Sequence, residues 1–204
     1  MWRHHGSVES PWPHRLALVT AGATFLLILA GGVVTTTGAG LAVPDWPTTF
    51  GYNMFLYPWA KMTGGILYEH SHRLIGSLVG LLTLALAIAL WTMEQRRWVR
   101  WLGAVALAAV VLQGVLGGLR VVLVAEQLAL LHGVLAHAFL GLAASLALFT
   151  SQAWRSQATP LPVEVAGRLR SWGVFVAAAA SPRLVPSALR KRHCPSPPRK
   201  SPRK

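Results

Sequence analysis

The stretch Ile66–Trp91, ILYEHSHRLIGSLVGLLTLALAIALW, decides the fold class. After its polar opening, Glu69-His70-Ser71-His72-Arg73, it reaches Trp91 without another ionisable side chain. Coiled as a helix its 26 residues reach about 39 Å, enough to cross about 30 Å of hydrocarbon. Its Leu, Ala, Val and Gly content lacks the alternation of a barrel strand, so a transmembrane helix is expected.

Working outward, three more apolar stretches have similar lengths: about 16–36, 101–119 and 128–150. The expected fold is therefore all-α, a polytopic membrane protein with a four-transmembrane-helix bundle. Composition agrees. The 204 residues are 53% hydrophobic and 12% charged, against about 25% charged in a soluble domain, which excludes a soluble enzyme. The opening MWRHHGSVESPWPHR resembles the n-region of a secretory signal, but the apolar run after it is too long for a cleaved h-region and reads as a retained helix. After Trp154 the apolar run Trp172–Ala180 is too short to span. The lone Cys194 excludes an internal disulfide, a four-Cys zinc site and a Cys-ligated iron–sulfur cluster.

A net charge of +13 would point to nucleic acid if it were spread over the chain, but residues 155–204 hold 11 of the 19 basic residues and one acid. Those residues also hold 8 of the 13 prolines and no interleaved aromatic platform. Two regions follow: 1–154, the membrane domain, and 155–204, a basic Pro-rich tail expected to be disordered, able to touch anionic lipid and not to bind nucleic acid. Arg3 and Arg15 precede the first span and Arg96, Arg97 and Arg100 join the second to the third. By the positive-inside rule both termini are expected in the cytoplasm. The 37–65 loop, where Asp45 balances Lys61, and the 120–127 loop, where Glu126 balances Arg120, are expected outside. The first of these, rich in Gly, Pro and aromatic residues, reads as a compact segment that caps a site.

Ionisable groups inside a membrane are costly and are functional candidates. Here they concentrate in Glu69–Arg73 and in His132 and His137 of the fourth span. Spans 2 and 4 run the same way, which puts His72 about 9 Å and His132 about 6 Å into their helices. Two imidazoles at one level suit a haem iron, one axial ligand from each side. His72 shares a helical face with Gly76, Val79 and Gly80, whose glycines leave room for a flat ring or a close helix. His70 points elsewhere. His132 shares a face with Leu135, Ala136 and Phe139, and His137 lies about 140° round the helix, so His70 and His137 rank below His72 and His132 as ligands. A helix-packing pair or a proton relay is the competing reading of these histidines. Zinc is weaker, for want of a third well-spaced ligand. Glu69 reads either as an i,i+4 ion-pair partner of Arg73 or as an acid/base group one turn from an axial ligand. Arg73, and after it Arg120, are the candidate contacts to haem propionates.

These residues also carry a resemblance. Gly31–Thr83, with its PDWP loop and EHSHR helix start, together with QGVLGGLRV and LALLHGVLAHAF further on, resembles the haem A synthase family over about residues 16–154. The resemblance implies an eight-helix fold of two four-helix halves, this chain being like the N-terminal one. It implies oxidation of a methyl group of haem O to a formyl group, giving haem A for cytochrome c oxidase. It places haem O as substrate between His72 and His132 and makes Glu69 the functionally important glutamate. It also implies an electron-transfer partner, with haem O synthase, cytochrome c oxidase assembly factors and further copies of the chain as candidate associates, in a bacterial cytoplasmic membrane. The 37–65 loop lacks the cysteine pair of some members, so a thiol-linked step is absent or replaced. A second half with a haem b site has no counterpart here, and beyond about Leu169 the sequence reads as unrelated, as expected of a truncated or frame-shifted product. A non-catalytic haem-binding membrane protein, or an inactive fragment, is the rival expectation.

Overall fold

Each span continues past its apolar stretch into the flanking polar residues. The structure, a computed structural model, describes residues 10–156. It contains α1 (Trp12–Thr36), α2 (Gly65–Met93), α3 (Arg97–Val122), α4 (Glu126–Thr150) and the short α5 (Gln152–Ser156). Helix α1 begins four residues before the apolar run because Pro11 and Pro13 suit a first turn, where the missing N–H costs nothing. Helix α4 begins at Glu126, whose carboxylate favours the positive end of the helix dipole. Arg120 thus lies within α3, and not in a surface loop as the charge balance suggested. Helix α2 follows Gly64, whose φ of +55° is a left-handed entry that suits glycine.

All four long helices are long and apolar enough to cross a membrane, and the chain is an integral membrane protein. Their outer surfaces are apolar, as with Phe25, Leu26, Leu81, Ile88, Val111, Leu130 and Val134. A water-soluble bundle would present a polar stripe there. Around the bundle α1 packs on α2 and α4, and α3 packs on the same two. The diagonal helices α2 and α4 make no close backbone contact.

The buried core fills one half of the bundle, away from the 37–65 loop. Ala17, Leu86, Leu90, Val99, Ala106, Phe139, Leu146 and Ala147 pack there. That far end is closed by Glu94, which is 2% exposed. Its carboxylate accepts from Arg96 at 3.0 and 2.9 Å and from Arg155 at 2.7 Å, and Arg96 also donates to the Phe149 carbonyl at 2.7 Å. Burial alone would raise the Glu94 pKa, but the hydrogen bonds and charge of Arg96 outweigh it and hold the carboxyl below its ordinary value. The rings of Trp98, Phe149 and Trp154 stack edge-on beside this clamp, at 5.0 and 5.1 Å.

The expectations for the N-terminal segment with Arg3, and for the tail from residue 157, lie outside the described residues. Arg155 and Ser156, the first two residues of the expected tail, end α5.

Candidate functional site

The 37–65 segment folds onto the loop end of the bundle around two charged side chains. Asp45 accepts backbone N–H groups from Phe50 at 2.8 Å and Gly51 at 2.9 Å, and the Thr48 hydroxyl donates to the same carboxylate. These bonds outweigh the raising effect of burial and lower the Asp45 pKa from 3.8 to about 2. Beneath it Arg73 of α2 donates to the carbonyls of Asp45, Thr48 and Val43 at 2.7, 3.2 and 2.7 Å, and to Glu69 at 2.8 Å. The second Glu69 oxygen accepts the Val43 N–H at 2.9 Å. Arg73, the first-ranked propionate contact, thus has both terminal nitrogens committed to the loop. Arg120 has one: its Nη2 donates to Gly40 at 2.7 Å, and its Nε and Nη1 have no partner among the described residues.

His70 belongs to this cap too. Its Nδ1 is 3.1 Å from the Thr49 hydroxyl and its ring 5.2 Å from that of Tyr57. On the opposite wall, the Trp46 ring lies so close to Gly118 of α3 that a Cβ there would collide with it.

His72 and His132 occupy the loop half of the bundle, below this cap, on the two helices that do not touch. His72 is seven residues into α2 and His132 six into α4, so the 3 Å depth difference expected from sequence shrinks to about 1.5 Å. Each ring is partly buried and lies against a glycine of the preceding helix, His72 against Gly31 of α1 and His132 against Gly117 of α3. The Nδ1 atom of each is buried without a well-formed hydrogen bond. A carbonyl of the preceding helix approaches each ring, that of Leu27 toward His72 and that of Gln113 toward His132. His132 lies within electrostatic range of His72, and Arg120 within range of both. On the His72 face, Gly76 has nothing closer to its Cβ position than Leu27 at 3.9 Å, and Gly80 has open space.

His137 is exposed and its Nδ1 lies 2.8 Å from the Gly133 carbonyl of its own helix. No three His, Cys, Asp or Glu side chains converge on a common point among the described residues. A haem needs only two protein ligands, because the porphyrin supplies the other four.

The sequence is similar to proteins of known name. The chain is 32% identical over 110 residues to "Heme A synthase" of Shouchella clausii (strain KSM-K16), which covers 53% of this chain and 35% of that protein. Against "Heme A synthase" of Alkalihalophilus pseudofirmus it is 34% identical over 110 residues, 52% of this chain and 35% of the relative. Over about half of its length this chain is similar to haem A synthases. Bacillus licheniformis "Heme A synthase" is 31% identical over 109 residues. The chain spans about a third of the length of the curated haem A synthases it matches. No family model matches it, and no solved structure matches it significantly.

Several site residues escaped the sequence reading. Asp45 counted there only as a charge opposite Lys61, whereas it is the hub of the cap. Gly31 and Gly117 lay in a signal that was legible, since the pairs Gly31-Gly32 and Gly117-Gly118 recur near the ends of α1 and α3. Gln113, whose Nε2 donates to the His132 carbonyl at 3.2 Å and whose Oε1 is buried without a partner, gave no signal beyond being a polar residue in an apolar span.

Proposed function

We propose that this chain binds haem O as a bis-histidine complex and serves in its conversion to haem A, as the substrate-holding half of a haem A synthase. One observation carries the reading: two histidines at matched depth, on diagonal helices with no backbone contact between them, each with a buried and unsatisfied Nδ1. A histidine that ligates metal through Nε2 needs its Nδ1–H directed at an acceptor, and the Leu27 and Gln113 carbonyls are the acceptors at hand. The haem, when bound, would supply a redox-active iron held by the porphyrin π-system that bears the methyl group to be oxidised.

The chain's own residues have definable tasks. His72 and His132 hold and orient the macrocycle. Arg120, with Nε and Nη1 unspent, pairs with a propionate in preference to Arg73. Glu69, held between the Val43 N–H and Arg73, places a carboxylate one turn from His72, where it would stabilise positive charge developing at the ring edge. The cap limits access of bulk water to that edge. Converting the methyl to a formyl group takes one oxygen atom from a water molecule and releases four protons and four electrons, and the electrons pass to an electron-transfer partner. The remaining proposals are a bacterial cytoplasmic membrane, with both chain ends in the cytoplasm and the cap on the outer face.

A second reading is favoured by the engagement of Glu69 and Arg73: both carboxylate oxygens of the one and both terminal nitrogens of the other hold the loop, as scaffold residues would. On that reading the chain carries haem without oxidising it. The full chain co-expressed with haem O and purified in detergent separates the two. Extracted pigment containing the formyl product supports the oxidative reading. Unchanged haem O on a low-spin protein supports the carrier, and no bound haem defeats both.

A further inference from the structure

The two candidate ligands rest on their glycines in the same way. A Cβ added to Gly31 would stand 3.0 Å from His72 Cε1, with Nδ1 at 3.6 Å and Nε2 at 3.7 Å. A Cβ on Gly117 would stand 3.1 Å from His132 Cε1, with Nδ1 at 3.5 Å and Nε2 at 3.8 Å. Gly31 lies five residues before the end of α1, and Gly117 five before the end of α3. The carbonyls that approach the rings, those of Leu27 and Gln113, are four residues before these glycines, so each imidazole lies along one turn of the preceding helix. Neighbouring glycines do not share the contact, for Gly32 and Gly114 have nothing within 4 Å of a Cβ.

We infer that Gly31 and Gly117 are positioning residues that aim the Nε2 atoms of His72 and His132 at a common metal, an inference that rests on the haem-binding reading above. The hydrogen side chain sets how far each ring can lie back against the preceding helix. A methyl group must push the ring by a few tenths of an ångström, which tilts the metal bond. A branched side chain occupies the place of the ring itself. The same glycine brings the ring edge within reach of the i−4 carbonyl, which selects the tautomer with Nε2 free for metal.

The test uses the full chain in detergent, loaded with ferric haem, and reads the low-temperature electron paramagnetic resonance spectrum and the midpoint potential. Gly31→Val and Gly117→Val are each expected to lose the bis-imidazole low-spin signal to a high-spin one. Gly32→Val and Gly114→Val are expected to keep it. Wild-type signals in Gly31→Val and Gly117→Val would overturn the inference, and so would equal loss in the Gly32→Val control. Should the valine variants not be recovered as monodisperse protein, Gly31→Ala and Gly117→Ala decide: shifted g-values and potential support the aiming role, and unchanged ones refute it. A wild-type protein with no low-spin signal fails the haem reading itself, a result distinguishable from failure of the glycines alone.

Discussion

The two ends of the bundle each bury a carboxylate beside arginine, and they use it differently. At the far end Glu94 binds Arg96 and Arg155 over a closely packed apolar core. At the loop end Glu69 and Arg73 hold a cap of irregular backbone, and the buried polar atoms of His72, His132 and Gln113 below it are left without partners. A folded chain leaves few buried polar groups unsatisfied. Thr20 Oγ1, nearer the far end, is another such group, but the two imidazoles and Gln113 lie together in the loop half, where a ligand would complete them. The far half therefore carries stability, and the loop half is kept for binding.

Substitutions at the far end are the strongest way to break that division. Leu86→Ala removes a fully buried side chain and is expected to cost about 3 kcal/mol. Glu94→Ala is expected to cost a similar amount, about 3 kcal/mol, the low end for breaking a buried ion pair because both guanidiniums retain some exposure. Denaturation in detergent followed by helical circular dichroism measures both, and the haem spectrum of the folded fraction should be unchanged. A changed spectrum would show that the halves are not separable.

At the loop end Glu69→Gln keeps an acceptor for the Val43 N–H and loses the negative charge that pairs with Arg73, an expected cost of about 1–2 kcal/mol. Formyl product should fall further than haem affinity, as read by product chromatography beside a haem titration. Equal losses would reduce Glu69 to a scaffold residue.

The smallest effect expected is acid loosening of the cap. The Asp45 carboxyl titrates near 2 in the folded chain against 3.8 when free, so its contribution is complete above about pH 4 and is lost as pH falls toward 2. Hydrogen exchange at the Phe50 and Gly51 amides should accelerate over that window. Asp45→Asn should lack the step.

Much of the loop half was legible in the sequence. Hydropathy gave the spans, because helices in lipid must satisfy their backbone internally and stay apolar outside. Helical angle separated His72 from His70 and His132 from His137, because rigid helices fix side-chain direction. The i,i+4 spacing paired Glu69 with Arg73. What stayed hidden depends on contacts between distant segments. Arg73 reaches the carbonyls of a loop 25 to 30 residues away, and nothing in their spacing announces it. Glu94 stands beside the arginines of the second connection with no local pattern to single it out, although Arg155, 61 residues on, makes it a clamp.

The division of the bundle stands or falls on the two imidazoles. Its most direct test is the electron paramagnetic resonance spectrum of the ferric haem-loaded chain, compared with His72→Ala and His132→Ala. The expected result is a low-spin bis-imidazole signal in the parent, lost from each variant and retained in His70→Ala and His137→Ala. Retention of that signal in both His72→Ala and His132→Ala would contradict it.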